Sequence, residues 1–163
     1  MALNTEQVAI LKAHALTVPE MVAAINSGDD VAIRDYFNTL TLIYGWNSFV
    51  PPEDYLEVMA WDEVDALQTG KARIWEWITS NQSRDLNFAK QNIRDGLANA
   101  FSGVQASVTR NGLLGIASRL MTKAEELLAI VDSSAGTQVD AKTMTFEGNI
   151  SLADASQIRV YGD

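Results

Sequence analysis

The stretch AWDEVDALQTGKARIWEWI, residues 60–78, combines three of the chain's four tryptophans with the closely spaced carboxylates of Asp62, Glu63 and Asp65. Such residues either line an aromatic and acidic cleft or belong to two helical segments joined by a turn at Gly70. Side chains at positions i, i+1 and i+3 of a helix diverge, so the three carboxylates do not converge on one cation or substrate. The spacing therefore favours a helical scaffold with the acids on a solvated face.

The segment after Gly70 has the periodicity of an amphipathic helix. Ile74, Trp77 and Ile78 fall on one face, whereas Trp75 and Glu76 point elsewhere. Large aromatic rings bury much area in a core or at a subunit interface. We therefore predict that Trp75 is an interface residue.

Helix signals continue on the N-terminal side. An apolar repeat begins at Thr5, and a second helix has Pro19 in its first turn, where the missing N–H is harmless. Gly28 is expected to end that helix, and Asp29 to cap a third one. The N-terminal region is therefore predicted to be a series of short helices.

The chain on both sides of the opening stretch adds further elements. The run LTLIYGWNSFV, residues 40–50, is rich in β-branched and aromatic residues and predicts an extended segment or a buried connection. A helix is predicted to begin at Pro52, and Asn87 to cap another over residues 88–101. The apolar pattern of residues 109–130 predicts one long central helix.

The C-terminal part changes character. TMTFEGNI, residues 143–150, alternates like a short strand, and Ser151 with Asp154 forms a capping-box pattern before a last helix. The predicted fold is mainly α: a helical bundle with a short β segment and an extended C-terminal arm. The predicted division is a helical domain over residues 1–131, followed by a loop, strand and arm over 132–163.

Composition restricts the functional classes. The chain has 163 residues and no cysteine, which excludes disulfides and thiol chemistry. No stretch approaches the roughly 20 apolar residues of a membrane span, so no membrane association is expected. The net charge is −9. Eleven of the 21 acidic residues but only two basic residues occur up to Asp65, so this part carries the whole net charge and the remainder of the chain is neutral. This asymmetry argues against a nucleic-acid grip, although a surface that DNA passes without sticking would also be acidic.

The motifs of common enzymes are missing. His14 is the only histidine, which rules out a two-histidine metal site, and no GxSxG, GxxxxGK[ST] or GxGxxG motif is present. The basic residues are spaced singly and interleaved with acids (Arg84, Lys90, Arg94, Arg110, Arg119 and Lys123). We therefore expect no enzyme, no metal and no cofactor, and DNA binding remains an alternative.

Several segments together resemble small proteins encoded among the head and tail genes of tailed bacteriophages. They are INSGDDVAIRDYFN, the pattern W-x-x-x-x-A-L-x-x-G-K-x-x-x-W with IRDGLANAFS, TRNGLLGIASRLMTKAEELLA, and TMTFEGNISLADASQIR. Within that class, a helical chain of this size resembles adaptor-type head-to-tail connectors. The resemblance implies a virion protein assembled in the host cytoplasm, forming a homo-oligomeric ring that contacts the portal and other neck or tail proteins. DNA would pass through this ring without sequence-specific binding.

These expectations assign roles to particular residues. Asp62, Glu63 and Asp65 are candidate channel-facing acids. The candidate interface residues are Trp75, Trp46, Tyr161, Phe146 and Ile150. The segment 143–150 either pairs with residues 40–50 or joins a neighbouring chain as an exchanged arm. A tail or baseplate component, an assembly factor, and a soluble helical regulator that binds DNA or protein remain alternatives.

Overall fold

The computed structural model describes residues 2–81, 85–103 and 106–162, and it confirms a mainly helical fold with a short β segment. The helices are α1 (Thr5–Ala15), α2 (Pro19–Ser27), α3 (Asp30–Phe37), α4 (Pro52–Glu57), α5 (Trp61–Asp65), α6 (Thr69–Asn81), α7 (Gln91–Ala100), α8 (Ser107–Ala117), α9 (Lys123–Leu128) and α10 (Leu152–Val160). The strands are β1 (Leu40–Trp46) and β2 (Ser118–Thr122), which pair in a two-stranded sheet.

The chain divides into two compact units. Unit 1 comprises Met1–Ile43, Leu120–Ser134 and Lys142–Asp163, and unit 2 comprises Tyr44–Arg119 and Ala135–Ala141. This division differs from the predicted boundary at residue 131. The C-terminal segment does not form a separate arm, because α10 packs against α1 and α3 within unit 1.

Local signals set most helix ends in unit 1. Asn4 forms a capping box with Gln7 at the start of α1, and Gly28 ends α2 in the left-handed conformation at φ 73°. The Asp29 side chain accepts a hydrogen bond from the Ala32 N–H at the start of α3. The predicted start at Pro19 and the capping box of Ser151 with Asp154 are confirmed as well.

Unit 1 has its own apolar core, which α1, α2, α3, α9 and α10 build together. Its largest fully buried side chains include Leu11, Ile33, Phe37 and Ile158. The Asp154 carboxylate also accepts a hydrogen bond from the Leu3 N–H at 3.1 Å, so it links the residues before α1 to the start of α10. This bond therefore joins Leu3 to α10 within unit 1.

Unit 2 contains a second apolar core. Helices α6 and α7 pack against each other, and Gly96 of α7 lies directly beneath Ile78 of α6. The start of α4 at Pro52 is as predicted. The break before α6 is not at Gly70, because α6 begins at Thr69 and the preceding helix α5 ends at Asp65.

The single long helix predicted over residues 109–130 is wrong. The segment forms α8, β2 and α9 in succession. Thr122 ends β2 and is the N-cap residue of α9. It forms a capping box with Glu125, the third residue of that helix. The strands run antiparallel, since the Lys123 N–H donates to the Thr39 carbonyl at one end and the Asn47 N–H donates to the Ala117 carbonyl at the other.

The strand predicted over residues 143–150 is also wrong. This segment is irregular, and side chains satisfy part of its backbone. The Gly148 N–H donates to the Glu125 carboxylate at 2.6 Å, and the Ile150 N–H donates to Asn38 Oδ1 at 2.8 Å. With these partners inside unit 1, the segment needs neither β1 nor a neighbouring chain to satisfy these groups.

The cap predicted at Asn87 is not found. Helix α7 begins at Gln91, and its N-cap residue, Lys90, makes no side-chain capping hydrogen bond. The Asn87 Oδ1 atom is buried without a hydrogen-bond partner among the described residues. Asn87 instead accepts the Lys90 N–H with its main-chain carbonyl in the turn that precedes α7.

Candidate functional site

The three carboxylates singled out in the sequence have different roles in the structure. Asp62 and Asp65 are exposed on α5, whereas the Glu63 carboxylate accepts hydrogen bonds from the N–H groups of Val108 and Thr109 at 3.0 and 2.7 Å. These N–H groups belong to the first turn of α8, whose N-cap residue provides no side-chain hydrogen bond. Glu63 therefore caps α8 from a distant part of the chain, and of the three only Asp62 and Asp65 remain on an open surface.

The hydrogen bonds to Glu63 also determine its protonation. Desolvation acts to raise the pKa of this carboxyl, but the hydrogen bonds from Thr109 and Val108 and the charge of Arg110 outweigh it and lower the pKa below its ordinary value. Glu63 is thus held as a carboxylate at the positive end of α8. Its two oxygens serve this structural role and are not directed at a substrate.

The tryptophans are placed differently from the prediction. Trp75 lies in the core of unit 2, edge-on to Tyr55 and Phe101 at centroid distances of 6.0 and 5.6 Å. Trp46 is also buried, with the Arg94 guanidinium 4.3 Å from its ring centroid. Trp75 and Trp46, both predicted at an interface, are therefore interior residues. In α6 the buried face includes Trp75 and not Trp77.

The remaining interface candidates belong to unit 1. Phe146 and Ile150 are buried in its core, so they too are interior residues and not surface contacts. Tyr161 follows α10 and is exposed. Of the five candidates, Tyr161 alone has the exposure that a contact with another chain requires.

The single histidine takes part in a small polar cluster in unit 1. His14 Nε2 lies 2.9 Å from the Tyr36 hydroxyl, and the two rings stack with centroids 6.0 Å apart. Burial lowers the pKa of His14, and the charge of Lys123 lowers it further, against an opposite effect of Glu126. The lowered pKa favours the neutral form of His14, which the contact with the Tyr36 hydroxyl ties to α3.

The basic residues of unit 2 are largely engaged with the chain itself. The Arg94 guanidinium donates to the Phe88 carbonyl, and Arg110 donates to the carbonyls of Phe101 and Gly103. Lys90 is exposed, and Arg84 lies outside the described residues. Arg94 and Arg110 are thus committed to main-chain carbonyls, which weakens the case for a phosphate-binding row.

A shallow groove of about 270 Å³ lies in unit 2 between α5, α6 and the end of α7. Lys71 on its wall donates hydrogen bonds to the Ser102 hydroxyl and carbonyl at 2.7 and 3.1 Å. Glu63, on the opposite wall, is occupied by α8. The charged groups at the groove are therefore already paired within the chain.

Two further features are the grouping of possible metal ligands and the length and apolar composition of the helices. In the part of the chain that the structure describes, no three His, Asp or Glu side chains are grouped so as to hold a metal ion. No single described helix is long and apolar enough to cross a membrane; α1 and α2 together reach that length and composition, but the chain bends by 115° between them.

Several bulky apolar side chains are exposed, which the sequence pattern did not predict. Trp61 and Trp77 expose 56% and 55% of their surface, and Leu42 and Val131 expose 88% and 98%. The sequence signal for Trp61 is the run of acids that follows it, Asp62, Glu63 and Asp65. The sequence pattern placed Trp77 on one face with Ile74 and Ile78, but the structure buries Trp75 with Ile78 and exposes Trp77.

Comparisons with protein-family models, with curated proteins and with solved structures find no match to this chain. The features of the chain that bear on its function are therefore the segments quoted for the resemblance and the exposed apolar side chains.

Proposed function

We propose that this chain is a virion structural protein of a tailed bacteriophage, a head-to-tail connector that forms a homo-oligomeric ring joining the portal to the tail. The observation that carries the proposal is the exposure of bulky apolar side chains in both units, Leu42 and Val131 in unit 1 and Trp61 and Trp77 in unit 2. Tryptophan in particular is enriched where proteins contact each other. A ring component has such contacts on several sides.

The sequence resemblance supports the same proposal. Its segments lie in both units, and several of their residues have defined structural roles: Gly28 ends α2, Asp29 caps α3, and Gly112 allows Val58 to approach α8. The resemblance thus includes positions that set helix ends and close packing in this chain. It transfers no catalytic or binding residue.

The charge distribution supports passage of DNA without retention. The chain up to Asp65 carries eleven acids and two bases, and phosphate binding requires the opposite sign. In unit 2, Arg94 and Arg110 are bonded to main-chain carbonyls. A chain with this excess of acidic residues suits a ring that surrounds DNA and does not hold it.

The experiment is a nonsense mutation in the gene for this chain, with electron microscopy of the resulting lysate. We expect DNA-filled or partly emptied heads and separate tails that do not join, and normal particles when the chain is supplied in trans. Heads without any assembled tails would favour the tail or baseplate alternative. Normal infectious particles without the chain would contradict the proposal.

A further inference from the structure

Helices α4 and α5 lie against the same helix. Val58, between them, packs so closely on α8 that a Cβ added to Gly112 would lie 2.8 Å from the Val58 carbonyl oxygen. The Ala60 N–H donates to Thr109 Oγ1 at 3.1 Å, and Glu63 caps α8. These contacts place α8 on one side of α4 and of residues 58–63, and the exposed residues of α4 and α5 lie on faces turned away from it.

These outward residues define what we call the α4–α5 surface. It consists of two apolar side chains and five carboxylates, namely Leu56, Trp61, Glu53, Asp54, Glu57, Asp62 and Asp65, all of them exposed. Trp61 exposes 56% of its surface and Leu56 38%. Helix α5 contributes no buried residue to the core, so packing within the chain does not explain a tryptophan at its first position.

The charges of this surface are uncompensated. None of its five carboxylates makes an ion pair or side-chain hydrogen bond with another described residue. The sequence between Asp35 and Lys71 contains no basic residue. Like charges at this density repel one another, and a cationic partner would relieve that repulsion.

The combination of groups selects the kind of partner. A wall along which DNA slides requires acids but no exposed tryptophan, whereas a protein contact uses tryptophan as an anchor and the surrounding charges for orientation. A second copy of this chain has a net charge of −9, which would repel the five carboxylates. Nucleic acid and anionic lipid carry the wrong sign.

We propose that the α4–α5 surface docks a basic protein segment whose apolar side chains cover Trp61 and Leu56 while its lysines or arginines face the five carboxylates. This assigns Asp62 and Asp65 to a protein contact in place of the channel wall expected from the sequence. The proposal stands on the surface itself and does not require that the chain form a ring.

The test uses the full chain and two defined probes, a short amphipathic peptide of leucine and lysine and a matched peptide of leucine and glutamate. Isothermal titration calorimetry is run at about 0.15 M salt, where exposed charges separated by more than roughly 8 Å are screened. We expect the lysine peptide to bind and the glutamate peptide not to bind. Trp61→Ala should weaken binding by about tenfold or more, the loss typical of an interface anchor.

Trp77→Ala is the matched control, because Trp77 is equally exposed but lies on α6. It should leave the affinity of the lysine peptide unchanged, and the double variant Asp62→Asn with Asp65→Asn should weaken it. Leu56→Ser is a second variant of the apolar component if Trp61→Ala disturbs folding, which circular dichroism and the melting temperature report.

Equal affinity in wild type and in both the Trp61→Ala and Leu56→Ser variants would overturn the proposal, since charge attraction alone would then explain binding. Absence of binding to the lysine peptide, or equal losses in Trp61→Ala and Trp77→Ala, would overturn it as well. None of these results depends on whether the chain is found in virions, so a failure of the connector proposal would be recognised separately.

Discussion

Replacing Gly112 by alanine tests the seat of α4 and α5 on α8. A Cβ at this position would lie 2.7 Å from the Val58 Cβ and 2.8 Å from the Val58 carbonyl oxygen, and a main-chain atom cannot move aside as a flexible side chain can. Forcing an extra methyl into such a contact costs about 1–3 kcal/mol. Helix propensity acts in the opposite direction, because alanine is favoured over glycine by about 1 kcal/mol within a helix.

Gly115 is the matched control on the same helix. A Cβ there meets nothing within 4 Å, so Gly115→Ala gains the same propensity without the clash. The free energies of unfolding of the two variants should therefore differ by the packing cost alone, about 1–3 kcal/mol, with Gly115→Ala the more stable. For a chain of this size the difference corresponds to about 2–12 °C in melting temperature.

Thermal unfolding followed by circular dichroism provides the measurement, with urea unfolding as an independent check. Equal stabilities of Gly112→Ala and Gly115→Ala would refute the reasoning. They would show that the segment around Val58 is not held against α8, and α4 and α5 would then not be fixed on the same helix.

Three further predictions concern the polar contacts. Glu63→Ala should lower the melting temperature because it removes the cap of α8, whereas Asp62→Ala should not. The folded pKa of Glu63 is lowered, so the stability that this carboxylate contributes is fully present above its ordinary pKa near 4.5 and is lost as the pH falls through the folded pKa. Melting temperatures measured over a pH series check this. The pKa of His14 is lowered in the folded chain, so the unfolded chain takes up a proton first as the pH falls below about 6.5. The free energy of unfolding of the wild type should therefore decrease below this pH, and that of His14→Gln should decrease less. Urea unfolding measures both. Asp154→Ala keeps the main-chain bond to Ser151 Oγ but removes the carboxylate that accepts from the Ser151 N–H and hydroxyl and from the Leu3 N–H. It should cost about 1–2 kcal/mol in the same urea assay, whereas no loss would show that none of these carboxylate contacts stabilises unit 1.

The parts of the fold that could be predicted are the helix starts and stops, because residues close together in the sequence determine them. Asn4, Gly28, Asp29 and Ser151 act within one helical turn, and so their caps and stops can be inferred from the sequence. The same is true of Pro52, whose ring fixes the backbone angle at the first turn of α4. The fold class follows from the number of such signals.

The parts that could not be predicted depend on distant partners. Residues 118–122 continue an apolar pattern that suits a helix, but β1 offers them a strand partner about 80 positions away, as in the hydrogen bond from Thr41 Oγ1 to the Met121 carbonyl. Residues 143–150 look like a strand, but the side chains of Glu125 in α9 and of Asn38, the residue after α3, satisfy part of their backbone. Single-sequence patterns do not contain this information.

The candidate site shows the same division. The sequence identified the α5 acids and the cluster of tryptophans, but not which of them the core would use. Glu63 is distinguished from Asp62 and Asp65 by the N–H groups of α8, which lie more than 40 residues away in the chain. Trp75 is distinguished from Trp77 only by the packing of Tyr55 and Phe101 around it.

The most direct test of the connector proposal is the copy number of this chain in purified particles, measured by quantitative mass spectrometry against a capsid protein standard. The proposal predicts a number per particle that matches one ring, the same in every preparation. Hundreds of copies would place the chain in the shell or tube, and its absence from purified particles would contradict a structural role in the virion.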